Sequence, residues 1–363
     1  MPKPNIYPSR SLVPPNIIYT MAPNKNNQIV LNERPQRGPV TDTTFRPNVA
    51  DVPEPKDGEV VVRIDYASVD PTMRGWVDDV RSYLPPVEIG AAMRAPGLGT
   101  VVASKSDAFK VGDLAVGLLG WQEYYVGPAE GLTKRVTPEG GKDIDHLGLF
   151  GMTGMTAYVG MFEIGKVQDG DHVLISGAAG AVGQTATQIA LAHPNCKVSV
   201  IAGSKEKLDY LKKLGAHNVL NYKDADFKEQ FQKIGNVDVY FDNVGGSILD
   251  LTLRQLNPHA RIIGCGAISA YNAEKPEPIY NYFCLITMKA TFRGFIVLEH
   301  TNLFPEGIAY FADLVKKGKM EFNYHVVDGL DNAVTALREM FDGKNLGKTV
   351  VRVSKEAVRQ SKL

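Results

Sequence analysis

The sequence predicts an α/β protein of two units, a β-rich unit first and a doubly wound parallel sheet after it. Three observations carry that expectation. Short strand-like runs separated by Gly and Pro fill the chain from Glu59 to Gly127. Short apolar runs alternate with helical stretches from about residue 145 to residue 266. A glycine-rich turn, Gly177-Ala178-Ala179-Gly180-Ala181-Val182-Gly183, stands between one such run and one such helix.

The elements follow in order. Eleven of the 22 prolines fall in the first 55 residues, so residues 1–24 read as an extended arm, or equally as a frayed tail. EVVVRIDYASVD (59–70), GLGTVVAS (97–104), VGDLAVGL (111–118) and QEYYVG (122–127) read as strands. Residues 146–165 are apolar at helical spacing. HVLISG (172–177) is a buried strand, and AVGQTATQIALAH (181–193) a helix stopped by Pro194. KVSVIAG (197–203), HNVLN (217–221), VDVYFDNV (237–244) and ARIIGCG (260–266) are further strands. Helices over 204–215, 224–234 and 247–256 lie between them, which implies right-handed crossovers and a parallel sheet. A last helix (331–342) precedes a closing strand, GKTVVRV (347–353), placed to return to the first unit. The expected division is an arm over 1–24, a β-rich unit over 25–150 and 320–363, and a dinucleotide-binding unit over 151–319.

Charge and composition narrow the function. Lys and Arg number 40, as do Asp and Glu, so no broad field for a nucleic-acid backbone or an anionic membrane is expected. No apolar run is long enough for a spanning helix, and the opening residues lack the apolar core of a secretory signal. Cys196, Cys265 and Cys284 are too few and too scattered for a disulfide scaffold, so a reducing compartment, the cytoplasm, is expected.

The glycine turn carries the chemistry. Small residues let the backbone approach a pyrophosphate, and the following helix offers free N–H groups with partial positive charge. A purely structural turn is the alternative. An acidic residue near the end of the second strand would hold ribose hydroxyls, as in NAD sites. Here that tip reads Gly203-Ser204-Lys205-Glu206-Lys207. Space, a hydroxyl and positive charge fit a ribose 2′-phosphate, so NADPH is expected over NADH. The alternative is that these lysines are the solvated face of a helix.

No histidine precedes His146 and no cysteine precedes Cys196. The β-rich unit therefore lacks the imidazole and thiolate ligands that catalytic and structural zinc sites use, and no metal is expected.

AAGAVG (178–183), GSKEK (203–207), NY (221–222), FDNVGG (241–246), CGAISAYN (265–272) and NLGKT (345–349) occur in this order, with DPTMRGWV (70–77) and GWQEYYV (120–126) before them. Together they resemble the zinc-independent branch of the medium-chain dehydrogenase/reductase superfamily. The group is that of the prostaglandin/leukotriene B4 reductases, plant alkenal double-bond reductases and bacterial curcumin reductases. The resemblance spans about residues 25–354. It implies a GroES-like β-rich catalytic domain with a Rossmann domain, and a homodimer. It also implies roles. Ala179, Gly180, Ala181, Val182 and Gly183 would cradle the pyrophosphate. Gly203 and Lys207, with Tyr222 nearby, would hold the 2′-phosphate, beside the Ser204 hydroxyl that the strand tip itself offers. Asn243, the stretch Cys265, Gly266, Ala267, Ile268, Ser269, Ala270 and Tyr271, then Phe295, Ile296, Val297 and Asn345, would meet the rest of the cofactor.

The implied activity is NADPH-dependent reduction of the C=C bond of α,β-unsaturated aldehydes and ketones. Hydride adds to the β-carbon, and Tyr271 donates to the developing enolate oxygen; a loop tyrosine merely packed beside the cofactor is the alternative. Expected pocket walls are Thr72, Tyr83, Trp121, Met152, Met155 and Tyr158. Many members of the group carry tyrosine where this chain has Thr72, so one aromatic wall is expected to be absent. Met152, Met155 and Tyr158 equally suit a helix's core face. Quinone reduction, allylic alcohol oxidation with NADP+ and a non-catalytic cofactor-binding or RNA-binding module remain as alternatives.

Overall fold

The structure is a computed structural model, and it describes residues 24–35 and 37–356. The arm expected over 1–24 lies almost wholly outside the described residues.

The β-rich unit begins with a two-stranded antiparallel ribbon, β1 (Lys25–Leu31) and β2 (Phe45–Asp51). Its main sheet holds β3 (Glu59–Ser68), β4 (Pro96–Ser104), β5 (Leu114–Leu118), β6 (Tyr124–Pro128) and β7 (Thr133–Arg135). β3 is the axis of this unit, because β4 and β6 both pair with it antiparallel. Its side chains are buried along nearly the whole strand, Asp65 and Ser68 included, as in a strand enclosed on both faces.

The second unit is a six-stranded sheet of β8 (His172–Ile175), β9 (Lys197–Ala202), β10 (Asn218–Asn221), β11 (Val237–Asp242), β12 (Leu256–Gly264) and β13 (Thr291–Gly294). All five pairings are parallel, and the order is β10-β9-β8-β11-β12-β13. The chain order reverses between β8 and β11, so their carboxyl ends open a crevice there. The helix Met152–Val159 continues into a π-helical turn, Gly160–Ile164, against this sheet. A Cβ on Gly160 would stand 2.5 Å from the Phe241 ring, so glycine there permits the close approach.

The chain then returns. β14 (Tyr324–Asp328) and β15 (Lys348–Arg352) run parallel, and β15 pairs antiparallel with β3. One bridge joins the sheets' territories: Gly347, just before β15, pairs with Gly180 of the glycine turn. Among the described residues no helix is long and apolar enough to cross a membrane.

Candidate active site

The glycine turn leaves β8 at Gly177, whose φ of 58° favours glycine. It enters the helix Ala181–Ala192 through Gly180. A Cβ on Gly183 would lie 2.4 Å from the Gly177 carbonyl oxygen. Only glycine lets the helix start this close to the strand. The helix has no side-chain cap and no acidic residue in its first turn, so Ala181, Val182 and Gly183 present uncapped N–H groups to the crevice. Ala179, almost fully buried, accepts a 2.8 Å hydrogen bond from the Gly347 N–H. Asn345 folds back on this segment, donating to the Gly347 carbonyl at 3.0 Å. Ala178, Ala179 and Gly183 are buried while Gly177, Gly180, Ala181 and Val182 are partly exposed, so the turn is backed by protein and keeps one open side. It fits a pyrophosphate.

At the tip of β9, a Cβ on Gly203 would meet the Tyr222 ring at 2.5 Å. Ser204 caps the next helix, its hydroxyl accepting from the Lys207 N–H, and it keeps its own proton to donate. The Lys207 ammonium reaches the Gly343 carbonyl at 2.8 Å. Burial, and then the nearby Lys223 charge, hold this ammonium below the usual lysine range. Lys223 itself stands 5.7 Å from the Tyr222 ring centroid. Two cations drawn together around a tyrosine and a serine are relieved by an anion. Lys223 was not among the residues expected from the sequence. Lys205 contributes less than its place in GSKEK suggested: its ammonium is exposed and pairs with Asp209 at 2.5 Å, one turn along its helix.

The switch point is organised by a residue that sequence reasoning passed over. Asp242, at the end of β11, is buried. Its Oδ1 accepts from the Tyr240 hydroxyl at 2.8 Å, the Ser176 hydroxyl at 3.2 Å, and the N–H groups of Val244 and Gly245 at 3.0 and 2.8 Å. Desolvation raises its pKa, and these four donors oppose that rise. Asn243 ties the two strand ends together, donating to the Ser176 carbonyl at 2.8 Å.

The Asp242 carbonyl also accepts from Cys265 and Gly266, which seats the end of β12. The short helix Ile268–Tyr271 then docks on the FDNVGG turn, through Ile268 N–H to the Asn243 carbonyl and Ser269 to Val244. Ala270 closes this helical turn by donating to the Ala267 carbonyl. The Tyr271 hydroxyl accepts from the Ala267 N–H at 3.2 Å. That bond leaves the phenolic proton free for an acceptor in the crevice. Burial lifts the Tyr271 pKa, with Cys265, Tyr83 and Asp242 adding to the rise, so the hydroxyl stays protonated at neutral pH. The same causes, burial and Asp242, push the Cys265 thiol up to about 12, which makes it an inert wall. Phe295, Ile296 and Val297 follow β13 half-buried, with the Phe295 ring against His300.

From the β-rich unit, Tyr83 comes near enough to Tyr271 to act on its charge. Its hydroxyl accepts from the Trp76 indole N–H at 3.1 Å. Thr72 is exposed at the start of the short helix Met73–Trp76. Three expected pocket walls are corrected. Trp121 is fully buried in the β-rich core, its ring tilted against Phe45 and its indole N–H donating to the Ser68 carbonyl at 3.0 Å. Met155 is fully buried against Gly307. Tyr158 lies in an aromatic cluster with Phe162, Tyr310 and Phe311, its hydroxyl donating to Glu306. Each is enclosed by its own core, so none can face a crevice without unpacking it. Met152, half-buried at the first turn of the same helix, is not enclosed in this way.

Comparison with known proteins meets this geometry. Residues 27–135 match the family described as N-terminal domain of oxidoreductase, and residues 181–313 the family described as zinc-binding dehydrogenase. The 2-alkenal reductase (NADP(+)-dependent) of Nicotiana tabacum is 39% identical over 84% of this chain and 90% of its own length. The chain belongs to the medium-chain dehydrogenase/reductase superfamily. Within it, this medium-chain reductase falls in the group of the alkenal, curcumin and prostaglandin reductases. The NADPH-dependent curcumin reductase of Escherichia coli (strain K12) is 35% identical over 91% of the chain and 97% of its own length. The crystal structure of CurA from Vibrio vulnificus, solved in complex with NADPH, superposes with a TM-score of 0.85 at 36% identity. That superposition covers 91% of this chain and 99% of CurA. The second family description names zinc, yet among the described residues no group of three or more His, Cys, Asp or Glu side chains could hold a metal ion.

Proposed function

We propose that this reductase uses NADPH to saturate the C=C bond of α,β-unsaturated aldehydes and ketones, without a metal. The observation that carries the reading is the Tyr271 hydroxyl. It accepts one backbone N–H, keeps its proton at neutral pH, and follows the end of β12 at the switch point. The glycine turn would hold the pyrophosphate, and Ser204, Lys207, Tyr222 and Lys223 the 2′-phosphate. Asn243, Cys265 to Ala270, Phe295 to Val297 and Asn345 would line the remainder. The bound nicotinamide supplies a hydride for the β-carbon. Negative charge then develops on the substrate carbonyl oxygen, and a donor fixed in place before reaction stabilises it. Tyr271 is that donor. Thr72, Tyr83 and Met152 would border an apolar substrate. The relatives named for an alkenal and for curcumin support this substrate class.

Steady-state turnover of an aliphatic enal, an enone and a quinone with NADPH and with NADH tests the reading. Enal and enone reduction favouring NADPH is expected. Turnover of the quinone alone, or of none, overturns it. All three cysteines are unpaired, which suits a reducing compartment and supports a cytoplasmic protein. The arm over 1–24, the split unit over 25–150 and 320–363, and the cofactor unit over 151–319 are part of the same proposal.

We also propose a homodimer. β13 ends its sheet, and Thr291–Gly294 are all exposed. Tyr280, Tyr282, Phe283 and Ile286 beside it are each more than 60% exposed. An apolar patch next to a free strand edge calls for a partner, and a two-fold copy presents the same patch in return.

A further inference from the structure

Lys348 is 2% exposed, yet it carries an ammonium. Its Nζ donates to the Asp70 carboxylate at 2.8 Å, the Val69 carbonyl at 2.8 Å and the Thr349 carbonyl at 3.0 Å. All three ammonium protons are thereby used, which fixes its geometry. The other Asp70 oxygen accepts the Ser68 hydroxyl. Val69 donates to the Thr349 carbonyl at 3.1 Å, so the corner at 68–70 is stitched to β15 at several points.

What lies on either side of this stitch gives it meaning. One residue before Lys348, Gly347 donates to Ala179 and bridges Gly180, both in the pyrophosphate turn. A side chain at 347 would strike the Asn323 carbonyl at 2.1 Å, so this approach is fixed. Pro71 and Thr72 follow Asp70, and the Asp70 carbonyl receives the Met73 N–H that opens the helix leading to Trp76. Trp76 in turn holds the Tyr83 hydroxyl. A buried ion pair contributes little net stability compared with apolar packing of the same volume. It does set distance and direction, which apolar packing does not.

We propose that Lys348 and Asp70 are a positioning pair that couples the seating of the cofactor phosphates to the substrate-facing segment 70–77. The pair touches neither reacting atoms nor phosphate. It acts through Gly347 on one side and through Thr72 and Trp76 on the other. The inference rests on the proposed cofactor site and on Thr72 bordering the proposed substrate.

Hydrogen–deuterium exchange with and without NADPH tests it. In the unaltered protein, NADPH should slow exchange at 177–184 and also at 70–77. Lys348→Met should keep the first protection and cut the second by about threefold or more. Asp70→Asn should give an intermediate loss. A single variant that leaves one buried charge unpaired risks unfolding, so Lys348→Met/Asp70→Leu removes both charges and should show the same loss in a folded protein. With an enone, these variants should lower kcat by about tenfold while KM for NADPH stays within about twofold. Undiminished protection at 70–77 in any of the folded variants overturns the inference alone, as does its absence in the unaltered protein. No protection at 177–184 in the unaltered protein defeats the cofactor reading, and the inference falls with it.

Discussion

At the scale of single residues, two side-chain groups decide the chemistry. Tyr271→Phe removes one proton donor, together with the acceptor of the Ala267 N–H, and keeps the ring. It should lower kcat roughly a hundredfold, with NADPH affinity within about twofold. Stopped-flow turnover and fluorescence titration check the two halves. A raised pKa means that the phenol keeps its proton as pH climbs, so any alkaline fall in kcat should be centred above the ordinary tyrosine value of 10.0. A fall centred below that value would assign the limb to another group. Lys207 and Lys223 make the second prediction. Replacing both by alanine should weaken NADPH by about ten- to hundred-fold for each charge-assisted hydrogen bond removed, while NADH affinity stays unchanged. Equal weakening of both cofactors would show that the lysines do not read the 2′-phosphate. Lys207 was legible in the sequence, because it follows the second strand of a glycine-turn unit. Lys223 was not, since it reaches this place only when the end of β10 comes to lie beside the end of β9. Trp121 failed in the opposite way. An aromatic in a β-rich sequence has the same one-dimensional signature whether it fills a core or borders a crevice.

At the scale of elements, legibility followed burial. The central strands β8, β9 and β11 stood out because parallel strands covered on both faces are continuous apolar runs. β1 begins Lys-Asn-Asn, β2 carries Pro47 and exposes alternate residues, and β13 is wholly exposed. None of these presents an apolar run longer than the Ile29-Val30-Leu31 that ends β1, and pairing with their partners makes them strands. The same holds for Asp242. An acid ending an apolar strand is visible in FDNVGG, but its four donors come from β11, the residue after β8 and the turn that follows Asp242 itself. The glycine turn was legible because its spacing is a steric requirement. Gly183→Val therefore makes an element-scale prediction. Its side chain would be driven into the Gly177 backbone, 2.4 Å from the new Cβ. The helix must then move away from β8, at a cost of about 1–3 kcal/mol in overpacking. Calorimetry should record that destabilisation, and NADPH titration should show affinity reduced by more than about tenfold, because the uncapped N–H groups no longer converge.

At the scale of the whole molecule, the two sheets meet at the Gly180–Gly347 bridge, and the sheet edge farthest from β10 is left free. That edge, β13, has its ladder satisfied on one side by β12 alone. Pairing with a copy of itself about a two-fold axis would satisfy the other side and cover Phe292 together with Tyr280, Tyr282, Phe283 and Ile286, all exposed in the single chain. Sedimentation should therefore give twice the chain mass of 39.6 kDa. Phe283→Lys and Ile286→Lys place charge at positions 62% and 65% exposed, where the fold of one chain has little to lose. Together they should shift the protein to the chain mass and make its melting temperature independent of concentration, whereas the unaltered dimer melts higher as it is concentrated. The crevice between β8 and β11 is built from one chain, so the monomer should still bind NADPH. A monomeric unaltered protein, or a variant that stays dimeric, would leave the apolar edge without the partner assigned to it.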